Sequence, residues 1–221
     1  MKTSKIRDKK IHLHKSLAAI AVAGAMTMAS TPLLAANLAL GAATSASSFY
    51  SGFGLQFLSS NVTDGIIIDQ PHSAVDNSYW LSADNTHAGQ WVQVDLGTAY
   101  QISSIVLYDT HNHIHNDRGT RDFHLFLSSD GSSFATVAIS AFSQAEWLNQ
   151  TGLAFTLNNA ARYVRFNVDS TFGCCGAGLA EMEVYGAAVT AVPEPETYAM
   201  MLAGLGLLGY AARRRKQKAG A

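Results

Sequence analysis

Apolar side chains recur at every second residue in one short run after another along the middle of this chain. Val92, Val94 and Leu96 alternate with Trp91, Gln93 and Asp95. Phe123, Leu125 and Leu127 alternate with His124, Phe126 and Ser128, and Val164, Phe166 and Val168 alternate with Tyr163, Arg165 and Asn167. Ala180, Met182 and Val184 alternate with Glu181, Glu183 and Tyr185. Successive side chains of a strand point to opposite faces, so a period of two marks strands with one buried and one wetted face. Ile102 to Tyr108 is a further apolar run, and Leu153, Phe155 and Leu157 a further alternating set. Phe134 to Ile139 returns from a tight turn at Ser129-Asp130-Gly131-Ser132. One-faced strands broken by Gly, Asp, Asn and Ser turns predict an all-β, antiparallel β-sandwich with its loops gathered at the ends. No strong helix is expected among these strands.

The two ends read differently. Lys2, Lys5, Arg7, Lys9, Lys10 and Lys15 precede an apolar segment from Leu17 to Ala29, followed by small residues at Ala36, Ala43 and Ala46. This is the pattern of a secretory signal peptide, cleaved between Ala35 and Ala46. Residues 1–46 are therefore assigned to the signal and a flexible N-terminus, 47–186 to one folded domain and 187–192 to a spacer. The remainder, 193–216 and a tail at 217–221, begins with Pro193-Glu194-Pro195. An uncharged stretch from Tyr198 to Ala212 and a basic stop, Arg213-Arg214-Arg215-Lys216, follow. The stretch predicts a transmembrane helix just long enough for a thin bilayer, its cations left in the cytoplasm. The three parts in this order resemble the PEP-CTERM sorting signal of exopolysaccharide-producing Gram-negative bacteria. That resemblance implies an exosortase as processing partner. It also implies transient anchoring in the inner membrane and a final place in the cell envelope or extracellular matrix. An ordinary C-terminal membrane anchor is the other reading of the same segment.

Charge is sorted along the chain. From Ser47 to Gly186 there is no lysine, and four arginines stand against thirteen Asp and Glu, a net of −9. Such a surface repels phosphate backbones, so no nucleic-acid partner is expected. It suits bound cations, neutral glycans or plain solubility.

The folded segment also resembles a family. Gln90-Trp91-Val92-Gln93-Val94-Asp95-Leu96-Gly97, Ile102-Ser103-Ser104-Ile105 and Asp117-Arg118-Gly119-Thr120-Arg121-Asp122-Phe123 follow one another in the order of the F5/8 type C, or discoidin-like, domain. Ser128-Ser129-Asp130-Gly131, Ala161-Arg162-Tyr163-Val164-Arg165-Phe166 and the closing Gly178 to Gly186 strand complete the series. The resemblance implies a galactose-binding-like jelly roll of about eight strands. It implies binding of carbohydrates, lipid headgroups or proteins through loops at one end, and no catalysis. It also implies a structural Ca2+ held by the Asp64 and Glu181 carboxylates and the Ala180 carbonyl. The chain departs from that pattern after Gly65, where Ile66-Ile67-Ile68 replace a polar run, so Asp69 or Asp76 would have to supply further oxygens. The alternative is that Asp64 caps a turn and Glu181 pairs with an arginine.

The loop from Tyr108 to Arg118 is dense in hydrogen-bonding side chains. Sugar sites combine planar polar groups with an aromatic face. Asp109, His111, Asn112, Asn116 and Arg118 supply candidates for the first, and Trp147, Phe172 or Trp80 for the second. Arg118 stands out as a scarce cation in a loop, while Arg165, alternating with core residues, is expected to pair with a carboxylate or stack on Tyr163. A plain surface loop tied by its own turns is the other reading. His111, His113 and His115 form an H-x-H-x-H run that on an extended segment would face one side, as a zinc or copper site requires; solvated histidines are the alternative. Cys174 and Cys175 are adjacent and flanked by glycines. Export favours a disulfide between them, with free thiols or links to other chains as alternatives. No nucleophile, base or paired-carboxylate motif stands out. An exported, non-catalytic carbohydrate-binding protein of the polysaccharide matrix is expected, with an adhesive protein-binding module or an enzyme as the alternatives.

Overall fold

The computed structural model describes residues 36–73, 77–189 and 195–218. The signal segment through residue 35, Asp76, and Pro193-Glu194 of the sorting motif lie outside those residues. Ten strands are described: β1 (Ala43–Ala46), β2 (Tyr50–Gly52), β3 (Leu55–Phe57), β4 (Trp80–Leu81), β5 (Trp91–Tyr108), β6 (Asp122–Ser128), β7 (Ala135–Ala141), β8 (Leu153–Val168), β9 (Gly178–Leu179) and β10 (Glu181–Ala188). A six-stranded antiparallel sheet runs β1-β5-β8-β6-β7, with β10 also paired to β5. β2–β3 and β4–β9 form two small ribbons.

The alternating runs meet the core as expected. Val92, Val94, Ile105, Leu107, Phe123, Leu125, Val164, Phe166, Met182 and Val184 are fully buried in one cluster. Several runs read separately in the sequence are halves of one strand, however. β5 joins Trp91–Leu96 to the Ile102–Tyr108 run across register shifts between Asp95 and Tyr100 and between Ile102 and Ser104. β8 spans both of its alternating sets in the same way. Bulges bend a strand without ending it, so each pair of runs stays one continuous strand of the sheet. At the bend, Arg162 donates from Nε and Nη2 to the two Asp95 carboxylate oxygens, each at 2.7 Å.

Two elements differ from expectation. The fold starts before Ser47: β1 pairs Ala43–Ala46 with Asp95–Val92, and Ala39 is fully buried. Asn37 Oδ1 accepts from the Val184 amide at 3.0 Å, and the Leu38 amide donates to the Val184 carbonyl at 2.7 Å. A short helix, α1 (Gln144–Asn149), interrupts the strands. Ser143 caps it, accepting from the Glu146 amide, while the Glu146 carboxylate accepts from the Ser143 amide.

The C-terminal helix α2 (Pro195–Lys218) starts on a proline, whose missing N–H costs nothing in a first turn. It corrects the membrane-length expectation: no helix among the described residues is long and apolar enough to cross a membrane. Its apolar portion from Tyr198 to Ala212 rises about 22 Å, against a hydrocarbon core of about 30 Å. The cations that follow lengthen the helix but not its apolar part.

Candidate functional site

A small apolar cluster of Phe57, Tyr79, Leu81 and Ala180, with Tyr50 and Leu55 packed on it, lies apart from the main core. It floors a cleft of about 400 Å³. One wall is apolar and comes from the β2–β3 hairpin: Tyr50, Phe53, Leu55 and Phe57. The polar part of the lining adjoins this wall: His72, Asn112, His115, Asp117 and Arg118. Phe53 sits at the hairpin tip with φ +53° and is 97% exposed. A large aromatic ring held in a left-handed conformation against solvent gains nothing from the fold and is available to a ligand.

Arg118 is 7% exposed, held rather than free. Its Nη2 donates to Asp84 Oδ1 at 2.8 Å and its Nη1 to the Cys175 carbonyl at 3.0 Å. Its guanidinium lies 4.4 Å from the centre of the Tyr50 ring. Asn112 Oδ1 accepts from Tyr79 Oη at 3.2 Å and faces His72 Nε2 at 3.1 Å, while Asn112 Nδ2 donates to Asp117 Oδ1 at 2.7 Å. Burial first, then the charges of His115 and His113, hold the His72 imidazole below its usual range against the opposing pull of Asn112 and Asp117. The wall therefore presents a fixed cation, an amide and a neutral imidazole.

The loop carrying this wall is pinned from beneath. Asp69 Oδ2 accepts from Thr110 Oγ1 at 2.7 Å and from the His111 and His113 amides at 3.1 and 2.9 Å. Asp69 Oδ1 accepts from Gln150 Nε2 at 2.6 Å. The Trp147 indole N–H is shared between the Thr110 and Arg118 carbonyls, both at 2.9 Å, and so clips the two ends of the loop together. Its ring stacks on Phe172 at 4.8 Å. A Cβ at Gly119 would collide with the Thr110 carbonyl and the Trp147 indole, which is why the chain has glycine between Arg118 and Thr120. Cys174 and Cys175 are joined by a disulfide. The Cys175 amide donates to the Asp117 carbonyl at 3.2 Å, so this pair braces the Asp117–Arg118 backbone.

A sequence profile of the F5/8 type C domain matches residues 45–181. The chain belongs to the F5/8 type C domain family. The PEP-CTERM protein-sorting motif matches residues 191–216, a motif that marks exported proteins for exosortase processing. Similar solved structures include chitosan-binding module 1 from the chitosanase/glucanase of Paenibacillus sp. IK-5, with 24% identity over 68% of this chain and 99% of that one, TM-score 0.53. The family 32 carbohydrate-binding module of C. perfringens NanJ, solved with galactose, has 21% identity over 68% of this chain and 98% of that one, TM-score 0.54. A Streptococcus pneumoniae fucose-binding module, SpX-3, has 18% identity over 68% and 97%, TM-score 0.52. These likenesses fix the fold. No curated protein matches the chain.

Within this F5/8 type C domain the expected ligand residues divide in two. Asn112 and Arg118 line the cleft. Asp109, Trp147 and Phe172 do not: they build the loop's support. Asp109 is fully buried and accepts from the Thr110 and Thr120 amides, and burial pushes its carboxyl well above its usual range. Asn116 is exposed at φ +50° and lies outside the cleft lining. His111 turns away from the cleft lining, its Nδ1 buried without a hydrogen-bond partner. Sequence reasoning missed the hairpin wall, His72 and Asp117. The Phe53-Gly54 turn between Tyr50 and Phe57 was the available signal.

The metal candidates also separate. No group of three or more His, Cys, Asp or Glu side chains that could hold a metal occurs among the described residues, which removes the H-x-H-x-H site. Asp69 is spent on its four hydrogen bonds and is not an open ligand. Glu181 is fully buried; Oε1 accepts from the Gly65 amide at 3.2 Å, but Oε2 is buried without a partner. Burial and the nearby Asp64 charge push its carboxyl up to about 8, and burial pushes Asp64 up to about 6. An orphaned carboxylate oxygen beside a second carboxylate fits a hard cation.

Proposed function

We propose that this F5/8 type C domain is an exported, non-catalytic carbohydrate-binding module of the extracellular polysaccharide matrix. It takes a pyranose in the cleft between the β2–β3 hairpin and the 109–118 loop. The pairing of an aromatic wall, Tyr50 and Phe53, with a fixed polar wall, His72, Asn112 and Arg118, carries this reading. Phe53 packs on the C–H face of the ring, and the polar wall bonds its hydroxyls. The structural relatives that bind chitosan, galactose and fucose support it. Screening the mature domain on a glycan array, followed by calorimetry on the hits, tests the reading; an array without hits beside capture of a protein ligand would replace it with an adhesive module.

Calcium has a structural place in the same proposal. Glu181 Oε2, the Asp64 carboxylate and the Ala180 carbonyl would hold it. The cation would neutralise the buried Glu181 and the neighbouring Asp64 at the junction of the Gly65 turn and β10, stabilising the fold and not reacting with the sugar.

A further inference from the structure

The 109–118 loop holds three non-glycine residues in the left-handed region, Asn112 (φ +63°), His113 (φ +54°) and Asn116 (φ +50°). Such conformations persist where the surroundings overdetermine them. Here the buried Asp69 carboxylate takes the amides on either side of Asn112. The result is a rigid tip that offers His113, Ile114 and His115 to solvent, Ile114 being 75% exposed. These three, with Pro71 and His72, enclose a second hollow of about 150 Å³. His72 and His115 line both this hollow and the main cleft.

We propose that the two hollows are adjoining subsites of one glycan site, so that the ligand is an oligosaccharide of at least two sugar units, with the second unit seated against His113 and Ile114. The inference rests on the carbohydrate reading of the main cleft. The shared wall is a stack: the His72 and His115 rings lie 5.0 Å apart at 25°, and His113 meets His72 nearly edge-on at 6.5 Å. His72 is oriented by its partners. Asn112 Nδ2 is committed to Asp117, so Oδ1 is the acceptor shared by Tyr79 Oη and His72 Nε2. Neutral His72 therefore carries its proton on Nε2 and leaves Nδ1 as an acceptor for a sugar hydroxyl. Imidazole edges for hydroxyls and the Ile114 side chain for a C–H face repeat, in smaller form, the two-walled chemistry of the main cleft. A second pyranose linked to the first is the occupant that this continuity and chemistry select.

The test is calorimetric titration of the mature domain with galactose, fucose and glucosamine and with β-linked disaccharides containing each of them. The comparison variant is His113→Asn with Ile114→Ser, since asparagine tolerates the left-handed backbone. The proposal expects a disaccharide to bind at least about tenfold tighter than its monosaccharide in the wild type. It expects the double variant to lose that margin while monosaccharide affinity and melting temperature stay unchanged. Equal affinity for both sugars in the wild type overturns it. So does a variant that weakens both sugars alike, because the tip would then only support the main cleft. If no saccharide binds at all, the carbohydrate reading itself fails and the second subsite with it.

Discussion

Phe53 and Arg118 both line the cleft but answer to different forces, and their substitutions bear differently on binding and folding. Phe53 is almost fully exposed, so Phe53→Ala should leave stability within about 0.5 kcal/mol while weakening glycan binding by about tenfold. Arg118→Ala would strand the Cys175 carbonyl and Asp84 and uncover Tyr50. It should lower the melting temperature as well as the affinity, and Arg118→Lys should rescue only part of either, because a point charge cannot reach both oxygens. A pair of titrations and melts checks both. The paired acids Glu181 and Asp64 give a further prediction. Glu181 and Asp64 have folded-state values of about 8 and about 6, above their ordinary 4.5 and 3.8. The folded domain then holds more protons than the unfolded chain across that window, so their contribution to stability is present at low pH and lost as pH rises towards 8. Without calcium, melting temperature should fall between pH 5 and pH 8.5. Millimolar Ca2+ should abolish the fall, and Glu181→Gln should remove the calcium response and the part of the fall above about pH 6, leaving Asp64 to titrate below it. A metal-free domain whose melting is flat over that range, or a chelator without effect, would dismiss the calcium proposal.

At the scale of elements, legibility followed length. β5, β6, β8 and β10 announced themselves by alternation, because a repeated buried face leaves a period of two, while β7, with no buried residue, was marked by the turn before it. β2 and β3 have three residues each and display no period; their burial comes from the local cluster with Tyr79 and Leu81. The wall they form was hidden for that reason. α1 was legible and overlooked: Ser143-Gln144-Ala145-Glu146 spells a capping box, outweighed in the reading by the strands around it. Asp109 and Trp147 looked like ligand residues because loop polarity in a sequence does not reveal which side chains turn inward. Their inward role predicts that Trp147→Phe, which keeps a smaller aromatic ring but deletes the N–H shared by Thr110 and Arg118, should cost about 1–3 kcal/mol. Hydrogen exchange should rise in residues 109–118 more than in the β6–β7 hairpin; equal rates in both would detach the indole from the loop.

For the whole molecule, the position of β1 limits how much of the N-terminus can be removed without loss of the fold. Ala39 is buried and Asn37 holds Val184, so a mature chain starting at Ser47 would lose an edge of the sheet and a plug of its core. N-terminal sequencing of the exported protein should find a first residue at or before Asn37. A domain beginning at Ser47 should melt well below one beginning at Ala36, and equal melting would mean that β1 is dispensable.

The Asn37–Val184 clasp also sets a clock. It joins residues 147 positions apart, so the start of the domain must wait for nearly its end before the sheet can close. Closure becomes possible only when Val184 has emerged, nine residues ahead of Pro193. The strand that completes the domain therefore lies directly ahead of the sorting motif, and trimming the chain into β10 would undo the closure that this clasp makes.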